Sequence, residues 1–217
     1  KILITGASGF IGKNFIYSLA DIDSEIEIII NLRRNSFNYF SNKDYKIIYN
    51  NITNKFVFDE QIDILFHIAS ETHKIDKMWL TNYIGTKNIL RWAIKSGTKK
   101  IIYLSSVSVF GNNHEKNISE SSKCMPVNIY GKTKYNAEKL VLDTCQKNNI
   151  QYLILRPSNV IDIKSKNKYP LLELIRSINN GYFFYFKNPK KVYLNYIIVE
   201  NVVEIMKSLI TLNNKSG

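Results

Sequence analysis

The chain has 217 residues, of which 45% are hydrophobic and 22% charged, as is typical of a globular protein with a sizeable core. Its 9 Gly and 4 Pro are too few for a disordered or fibrous chain, and its 2 Cys cannot form a disulfide framework. The apolar runs have the length of strands, so we expect no membrane span. The chain does not open with the basic and apolar regions of a signal peptide. With only two Cys, we expect a cytoplasmic location.

The charge is strongly positive. Lys and Arg number 30 against 18 Asp and Glu, which gives a formal net charge of +12. Lys supplies 25 of the 30 and is spread along the whole chain, and Asn and Ile are also abundant, a bias typical of AT-rich coding sequences. We therefore expect no nucleic-acid partner, although a mild positive field favours small anionic ligands.

Strand-like apolar runs alternate with helix-like segments over the first 160 residues. Strands are predicted at 1–5, 25–31, 45–49, 63–69, 100–104 and 152–155, and helices at 12–20, 78–95 and 129–148. This alternation is typical of right-handed βαβ units, in which helices cover both faces of a parallel sheet. The sequence therefore predicts an α/β fold with a doubly wound parallel sheet.

The pattern is less regular in the last quarter of the chain. A helix is predicted at 169–179, a strand at 192–199 and a second helix at 200–212. We therefore expect an α/β domain over 1–160 and a smaller, incomplete part over 161–217. The first residues already read as a strand and the last as a turn, so we expect a fragment of a longer protein.

A glycine-rich segment, Gly6-Ala7-Ser8-Gly9-Phe10-Ile11-Gly12, separates the first predicted strand from the first predicted helix. Gly6 permits a tight turn, Gly9 lets the backbone approach a pyrophosphate, and Gly12 lets the helix pack closely on the sheet. The N–H groups at the start of the helix then face the anion. Because a strand precedes the segment and a helix follows it, we predict a dinucleotide-binding loop.

The Gly-x-x-Gly-x-x-Gly spacing resembles that of the extended short-chain dehydrogenase/reductase superfamily, which includes NAD(P)-dependent sugar-nucleotide epimerases, dehydratases and reductases. The resemblance continues through His67-Ile68-Ala69-Ser70 and through the segment Asn82-Tyr83-Ile84-Gly85-Thr86-Lys87-Asn88. It implies a Rossmann-like domain that binds NAD(P), followed by a small substrate-binding part. It also implies a homodimer formed through the helices at 78–95 and 129–148.

Tyr130 and Lys134 lie four residues apart in the predicted helix at 129–148, so they share one face. An ammonium beside a phenol favours the phenolate, so we expect Lys134 to lower the pKa of Tyr130 and allow proton exchange with a sugar hydroxyl. The resemblance places the catalytic Ser at Ser106, four residues before the aromatic-Gly pair that begins at Phe110. It implies a catalytic set of Ser106, Tyr130 and Lys134, in which Lys134 also touches the nicotinamide ribose.

The segment Asn31-Leu32-Arg33-Arg34 follows the second predicted strand. An acidic residue there binds the ribose of NAD, whereas a nearby Arg accommodates the 2′-phosphate of NADP. Because the acid is missing and two Arg follow, we predict NAD(P) as the cofactor and favour NADP, while Asn31 remains compatible with NAD. Asn51-Ile52 resembles an Asp-hydrophobic pair that contacts adenine.

The predicted contacts with cofactor and substrate come mainly from the residues after the strands. The cofactor-binding residues are Gly6, Ser8, Gly9, Phe10, Ile11, Gly12, Asn31, Arg33, Arg34, Asn51, Ile52, Ile68, Ala69, Ser70, Tyr130, Lys134 and Pro157. The substrate-binding residues are Ser70, Ser106, Tyr130 and Asn159. No metal site is predicted, because the three His have no metal-ligand spacing with either Cys.

The residues after Ser106 narrow the reaction. Sugar-nucleotide 4,6-dehydratases carry an Asp-Glu pair there, and bifunctional epimerase-reductases carry a Cys, where this chain has Val107-Ser108. The resemblance therefore implies an NAD(P)-dependent epimerase or reductase that transfers hydride at a secondary alcohol or ketone of a nucleotide-sugar, in surface polysaccharide biosynthesis. The alternatives are a catalytically silent NAD(P)-binding sensor or scaffold, and a reductase of a non-sugar ketone.

Overall fold

The computed structural model describes residues 1–33, 45–162, 170–182 and 195–212. The strands are β1 (Ile2–Thr5), β2 (Ile28–Leu32), β3 (Lys46–Tyr49), β4 (Ile64–His67), β5 (Lys100–Leu104), β6 (Gln151–Leu155), β7 (Asn159–Ile161) and β8 (Tyr196–Ile198). The helices are α1 (Phe10–Ser18), α2 (Ile75–Met78), α3 (Thr86–Lys95), α4 (Ile129–Lys147), α5 (Pro170–Asn179) and α6 (Val199–Thr211). A π-helical segment, Trp79–Gly85, joins α2 to α3, and a short 3₁₀ turn, Val107–Val109, follows β5.

Six strands form one parallel sheet in the order β3-β2-β1-β4-β5-β6. Strand β1 pairs with β2 on one side and with β4 on the other, so the direction of winding reverses at β1. Because every pair is parallel, the carboxyl ends of all six strands meet at one edge. This is the predicted Rossmann-like doubly wound sheet, and such sheets bind ligands at this edge, next to the reversal.

Hydrophobic residues of the strands alternate between the two faces of the sheet. On one face Ile4 packs in a core with Phe15 of α1 and Met206 of α6. On the other face Leu3 packs in a second core with Val141 of α4. All five side chains are fully buried, so the sheet is covered on both faces, as the near-continuous apolar strands require.

The last helix returns to the first face of the sheet. Val203 and Met206 of α6 belong to the same core as α1. The Nζ of buried Lys100, at the start of β5, donates to the carbonyl oxygens of Leu209 (2.7 Å) and Leu212 (2.5 Å). Lys100 therefore caps the carboxyl end of α6 and fastens it to the sheet. The predicted division of the chain at residue 160 stays a prediction.

Several boundaries differ from the predicted ones. Helix α1 begins at Phe10, two residues before the predicted start, because the helix follows Gly9 directly. The helix predicted at 78–95 starts earlier, at Ile75, and contains the π-helical segment. Strand β7 was not predicted, because Asn159 and the preceding Pro157 read as loop residues.

Strand β7 pairs with β8 in a separate two-stranded parallel sheet. The strand predicted at 192–199 is realised as Tyr196–Ile198, whereas residues 192–194 lie outside the described residues and Val199 begins α6. No helix in the described part of the chain is both long and apolar enough to cross a lipid bilayer.

Candidate active site

The loop after β1 is shaped by its glycines. Gly6 has a φ of +76°, and a Cβ there would lie 2.5 Å from the backbone nitrogen of Ala69. A Cβ on Gly12 would lie 2.2 Å from the carbonyl oxygen of Gly6. Gly9 is exposed, and its N–H donates to the same carbonyl over 3.0 Å. Only glycine fits at Gly6 and Gly12, while the side of the loop at Gly9 is open.

The first turn of α1 contains three of the predicted loop residues, Phe10, Ile11 and Gly12. Gly12 was predicted to allow packing against the sheet, but its closest neighbour is the loop itself. No side chain caps the helix at Gly9, and no acidic residue lies in the first turn. The N–H groups and the positive end of the helix dipole therefore face the open side of the loop, next to half-buried Ser8.

Asn31 fastens the carboxyl end of β2 to that of β3. Its Nδ2 donates to the carbonyl oxygen of Asn50 (3.2 Å), and the N–H of Asn50 donates to its Oδ1 (3.1 Å). Buried Asn31 thus has a structural partner besides its predicted cofactor contact. Arg33, two residues after Asn31, is exposed, and Arg34 lies outside the described residues.

The predicted adenine-side pair lies after β3. Exposed Asn51 accepts the N–H of Thr53 through its Oδ1 (3.1 Å), which closes a local turn. Ile52 is buried against Gly85 of the π-helical segment, where a Cβ would lie 2.9 Å from the Cδ1 of Ile52. The Nδ2 of Asn88 donates to the carbonyl oxygen of Ile52 (3.0 Å). Asn88 and Gly85 therefore set the position of this turn.

Strand β4 ends in a buried polar network. The Nδ1 of His67 lies 2.7 Å from the hydroxyl of Thr5, and its Nε2 lies 2.9 Å from that of Thr86. The Thr86 hydroxyl donates to the carbonyl of Asn82 (2.6 Å), so it accepts from the ring. Burial, followed by the positive charge of Lys134, lowers the pKa of His67 to about 3. His67 is therefore a neutral core residue, whereas His73 and His114 are exposed.

Asn82, in the π-helical segment, uses its whole amide to join two parts of the site. Its Oδ1 accepts the Ser70 hydroxyl (3.1 Å) and the N–H of Glu71 (2.7 Å). Its Nδ2 donates to the carbonyl of Glu71 (3.0 Å) and to the Thr133 hydroxyl (3.0 Å). The Thr133 hydroxyl in turn donates to the carbonyl of Tyr130 (2.8 Å). Asn82 therefore holds Ser70 against the helix that carries Tyr130.

Ser106 lies two residues after the end of β5 and caps the start of the 3₁₀ turn. Its Oγ accepts the N–H of Ser108 and donates to the Ser108 hydroxyl, each over 3.1 Å. The N–H of Val107 donates to the carbonyl of Pro157, so the segment after β6 supports the turn. The neighbouring Ser105 hydroxyl is buried and has no hydrogen-bond partner within the described part of the chain.

Tyr130 lies in the first turn of α4, where the side chain of Asn128 caps the helix by accepting the N–H of Gly131 (2.7 Å). Burial raises the pKa of Tyr130, and hydrogen bonds with the side chains of Ser70 and Ser106 oppose that rise. The prediction that the pKa of Tyr130 is lowered is therefore wrong for this structure, because desolvation of the phenol outweighs these contacts.

Lys134 lies one turn further along the same face of α4 and is 1% exposed. Its Nζ donates to the carbonyl oxygen of Leu104 (2.5 Å) and lies 4.3 Å from the centre of the Tyr103 ring. Burial lowers the pKa of Lys134 to about 7, and the negative charge of Glu138 opposes this shift. Around Tyr130 the structure thus gathers two hydroxyls on one side and a buried lysine on the next turn.

A family model described as the NAD dependent epimerase/dehydratase family matches residues 2–216. The chain belongs to this family. It is therefore a member of the extended short-chain dehydrogenase/reductase superfamily, as the glycine spacing indicated.

Three relatives illustrate the range of this family. The chain is 31% identical over 179 residues to the mouse (Mus musculus) dTDP-D-glucose 4,6-dehydratase, covering 74% of this chain and 50% of the relative. It is 26% identical over 238 residues to the ADP-L-glycero-D-manno-heptose-6-epimerase of Brachyspira hyodysenteriae, covering 100% of this chain and 74% of the relative. The chain spans about half the length of the first curated relatives it matches.

The third is a solved structure, the UDP-glucuronic acid 4-epimerase of Bacillus cereus in complex with UDP-glucuronic acid and NAD. It superposes with a TM-score of 0.77 at 18% identity and covers 99% of this chain and 74% of its own. This likeness confirms the predicted fold of the epimerase/dehydratase family.

The residues at the carboxyl edge fit a dinucleotide of the kind this family uses. Side chains are excluded from the loop at Gly6 and Gly12, which leaves an open cradle at Gly9 in front of the uncapped start of α1. The orphaned hydroxyl of Ser105 offers a further polar group at the end of β5. The backbone N–H groups at the start of α1 would hold the phosphates.

The remaining predicted substrate residue lies apart from these contacts. Exposed Asn159 begins β7, and its backbone N–H (3.3 Å) and Nδ2 (3.1 Å) both donate to the carbonyl of Asn195. Its amide therefore supports the two-stranded sheet.

Sequence reasoning missed three residues that shape the site. Asn82 lies within the helix segment that carried the resemblance, but its four hydrogen bonds depend on the π-helical turn. Buried Glu138, one turn beyond Lys134, forms an ion pair with partly exposed Arg156. The sequence did offer a signal for Glu138, because it lies four residues after Lys134 and residues at this spacing share a helix face.

Proposed function

We propose that the chain forms the catalytic part of an NAD(P)-dependent epimerase or reductase that transfers hydride at a secondary alcohol or ketone of a nucleotide-sugar. The observation that carries this proposal is the convergence of Ser70 and Ser106 on Tyr130: Asn82 joins Ser70 to Thr133 on the helix of Tyr130, and both hydroxyls act on the pKa of the Tyr130 phenol. An ordinary core tyrosine has no need of two hydroxyls from two different strand ends.

In the proposed reaction Tyr130 takes the proton of the substrate hydroxyl when the sugar is oxidised and returns it when the ketone is reduced. Ser106 donates a hydrogen bond to the same substrate oxygen and stabilises its developing charge, for which its hydroxyl must turn from Ser108. When bound, the nicotinamide accepts or supplies the hydride. The ammonium of Lys134, one turn further along the same face, would stabilise the phenolate that forms on Tyr130 during proton transfer, although the pKa of the resting phenol is raised in this structure.

An epimerase would use these groups twice and turn the keto-sugar between the two steps, whereas a reductase would use them once. We do not extend the proposal to dehydration, although the first relatives are dehydratases. Elimination of water needs an additional acid and base, and the turn after Ser106 carries Val107 and Ser108 instead of carboxylates. The carboxylate of Glu71 is also near the site, but it is engaged within its own loop, where it accepts backbone N–H groups, including that of His73.

For the cofactor we propose NADP over NAD. Asn31 stands at the carboxyl end of β2, where an acidic residue would favour NAD, and exposed Arg33 lies two residues further on. The Bacillus cereus structure holds NAD, so under this proposal the chain would differ from that protein in its cofactor.

We further propose a homodimer formed through the helices around α4. Large apolar side chains are exposed on the neighbouring elements: Ile75 in α2, Trp79 and Leu80 in the π-helical segment, and Leu142 in α4. Such a patch is typical of an interface with another protein surface. Replacement of Leu80 with Glu should then shift the mass measured by light scattering from dimer to monomer.

The proposed setting is the synthesis of surface polysaccharides from cytoplasmic nucleotide-sugars. The free thiols of Cys124 and Cys145 suit a reducing compartment, and burial raises the pKa of Cys145 to about 12, which makes it unreactive.

The test is incubation of the chain with NAD or NADP and with UDP-glucose, UDP-N-acetylglucosamine and dTDP-glucose in turn, followed by proton NMR of the sugar. Appearance of a 4-epimer, or oxidation of NADPH with the corresponding 4-keto sugar, would support the proposal. A 4-keto-6-deoxy product would instead show a dehydratase. Binding of NAD(P) without turnover of any of these sugars would support the silent alternative.

A further inference from the structure

The proposed chemistry leaves one partly buried ion pair unused. Glu138 lies in α4, one turn beyond Lys134, and its side chain is 4% exposed, whereas that of its partner Arg156 is 22% exposed. Arg156, directly after β6, donates its Nε and Nη2 to the two carboxylate oxygens over 3.0 and 2.9 Å. Taking a carboxylate out of water is costly, so such a pair is often no more stabilising than apolar side chains of the same size. Stability alone therefore does not account for this pair beside the site.

Arg156 contacts more than its carboxylate partner. Its Nη1 donates to the backbone carbonyl of Glu120 (3.1 Å), in the segment between Ser106 and Tyr130. Its guanidinium lies 5.0 Å from the centre of the Phe110 ring, and Phe110 ends the 3₁₀ turn that Ser106 begins. One planar side chain thus joins the helix of Tyr130 to the turn of Ser106, which a lysine could not do with the same geometry.

Glu138 acts on Lys134 from the same face of the helix. The groups around the buried Nζ are Glu138 on its own helix, the Tyr103 ring and the Leu104 carbonyl on β5, and neutral His67 on β4. Of these four, Glu138 supplies the negative charge, because the Tyr103 phenol and the imidazole are neutral near pH 7. Its charge opposes the lowering of the Lys134 pKa by burial.

We propose that Glu138 and Arg156 are positioning residues for the catalytic set. Arg156 fastens the Ser106 turn to the helix that carries Tyr130 and Lys134, and it also holds Glu138 in place as the buried counter-charge of Lys134. The part of this inference that concerns turnover rests on the proposed function. The part that concerns the charge of Lys134 does not, and it can be tested without any substrate.

The test of the counter-charge is a titration of Lys134 by NMR of lysine labelled at its Cε, assigned from the signal lost in Lys134→Met. In Glu138→Gln the midpoint should move at least one pH unit lower than in the unchanged chain. In Glu138→Asp, which keeps the charge, it should stay within half a unit even if the variant melts at a lower temperature. An unchanged midpoint in Glu138→Gln, with Glu138→Asp alike, would overturn this part.

The test of the clamp is Arg156→Lys, which keeps a cation but loses the bidentate geometry. Turnover should fall about tenfold at every pH, while the Lys134 midpoint stays within half a unit. In Glu138→Gln the alkaline limb of the turnover profile should instead move to lower pH. If both variants have lower melting temperatures but unchanged turnover per folded molecule at every pH, the pair is structural and the proposal is wrong. If the unchanged chain turns over no nucleotide-sugar, the proposed function fails and the titration still decides the role of Glu138.

Discussion

The loop after β1 and the face of α4 at Tyr130 lie at the same edge of the sheet, yet they are shaped by opposite means. In the loop, the absence of side chains at Gly6 and Gly12 lets backbone atoms approach within distances that a Cβ would block. On α4, buried polar side chains such as Lys134 and Glu138 fill the space and act on one another through charge.

The comparison explains why the two regions should respond differently to substitution. Steric limits in the loop belong to the folded chain itself, so adding atoms should alter stability. Electrostatic effects on α4 concern protonation, so removing a hydroxyl or an ammonium should alter turnover and its pH dependence.

Tyr130→Phe should cut turnover by roughly 10²–10⁴-fold, because it removes the proposed acid-base group. The melting temperature and the affinity for the cofactor should change little, since the ring and its packing remain. Tyr135→Phe is the matched control, because Tyr135 lies on the same helix but packs under Lys139. Steady-state kinetics of both variants check this, and near-normal turnover in Tyr130→Phe would remove Tyr130 from the mechanism.

Gly12→Ala should destabilise the fold by about 3 kcal/mol, the upper end of the usual cost of overpacking. The new Cβ would lie 2.2 Å from the carbonyl oxygen of Gly6, in a turn with no freedom to move away. The melting temperature should fall by roughly 6–12 °C.

Gly9→Ala tests the contribution of the loop to cofactor binding separately from its contribution to stability. Its Cβ would meet only the Gly6 carbonyl oxygen at 3.2 Å, so the melting temperature should stay within about 2 °C. The dissociation constant for NADPH should rise about tenfold or more if Gly9 faces the pyrophosphate. Calorimetry and cofactor titration measure both variants. Unchanged cofactor affinity in Gly9→Ala would show that the open side of the loop does not meet the dinucleotide.

The sequence was informative to different degrees in these two regions. The strands and the glycine loop were predicted because β-branched runs and glycine spacing report local conformation directly. The raised pKa of Tyr130 was not, since it depends on how deeply α4 is buried against residues far away in the chain. The contacts of Asn82 escaped for a similar reason, because a π-helical turn changes which side chains share a face.

Lys134→Met should change the pH dependence of stability. The folded-state pKa of Lys134 is about 7, well below the value of about 10.5 expected when unfolded. The unfolded chain therefore binds more protons between these values, and stability from this group rises with pH above 7. Between pH 7 and 9 the unchanged chain should gain about 2 kcal/mol relative to the variant, or roughly 4–8 °C.

The raised pKa of buried Cys145 lowers the stability of both chains at alkaline pH, so its effect cancels in the difference between them. Melting temperatures of both chains at half-unit steps of pH check the prediction. Parallel curves would mean that Lys134 titrates at an ordinary pH and is not desolvated by its surroundings.

Arg33→Ala should have the smallest effect. It tests whether a side chain near the glycine loop contributes to the choice between NADP and NAD. Loss of an exposed cation should weaken NADPH binding about tenfold, equivalent to about 1.4 kcal/mol, because the cation would face the 2′-phosphate. Binding of NADH should change less than about twofold, since NADH has no such phosphate. Arg91→Ala, which removes an exposed cation from α3, serves as the control. Equal losses for both cofactors would assign Arg33 to the fold, and tighter binding of NADH by the unchanged chain would overturn the NADP proposal. Either result would leave the glycine loop as a site built from backbone alone, with the choice of dinucleotide determined elsewhere.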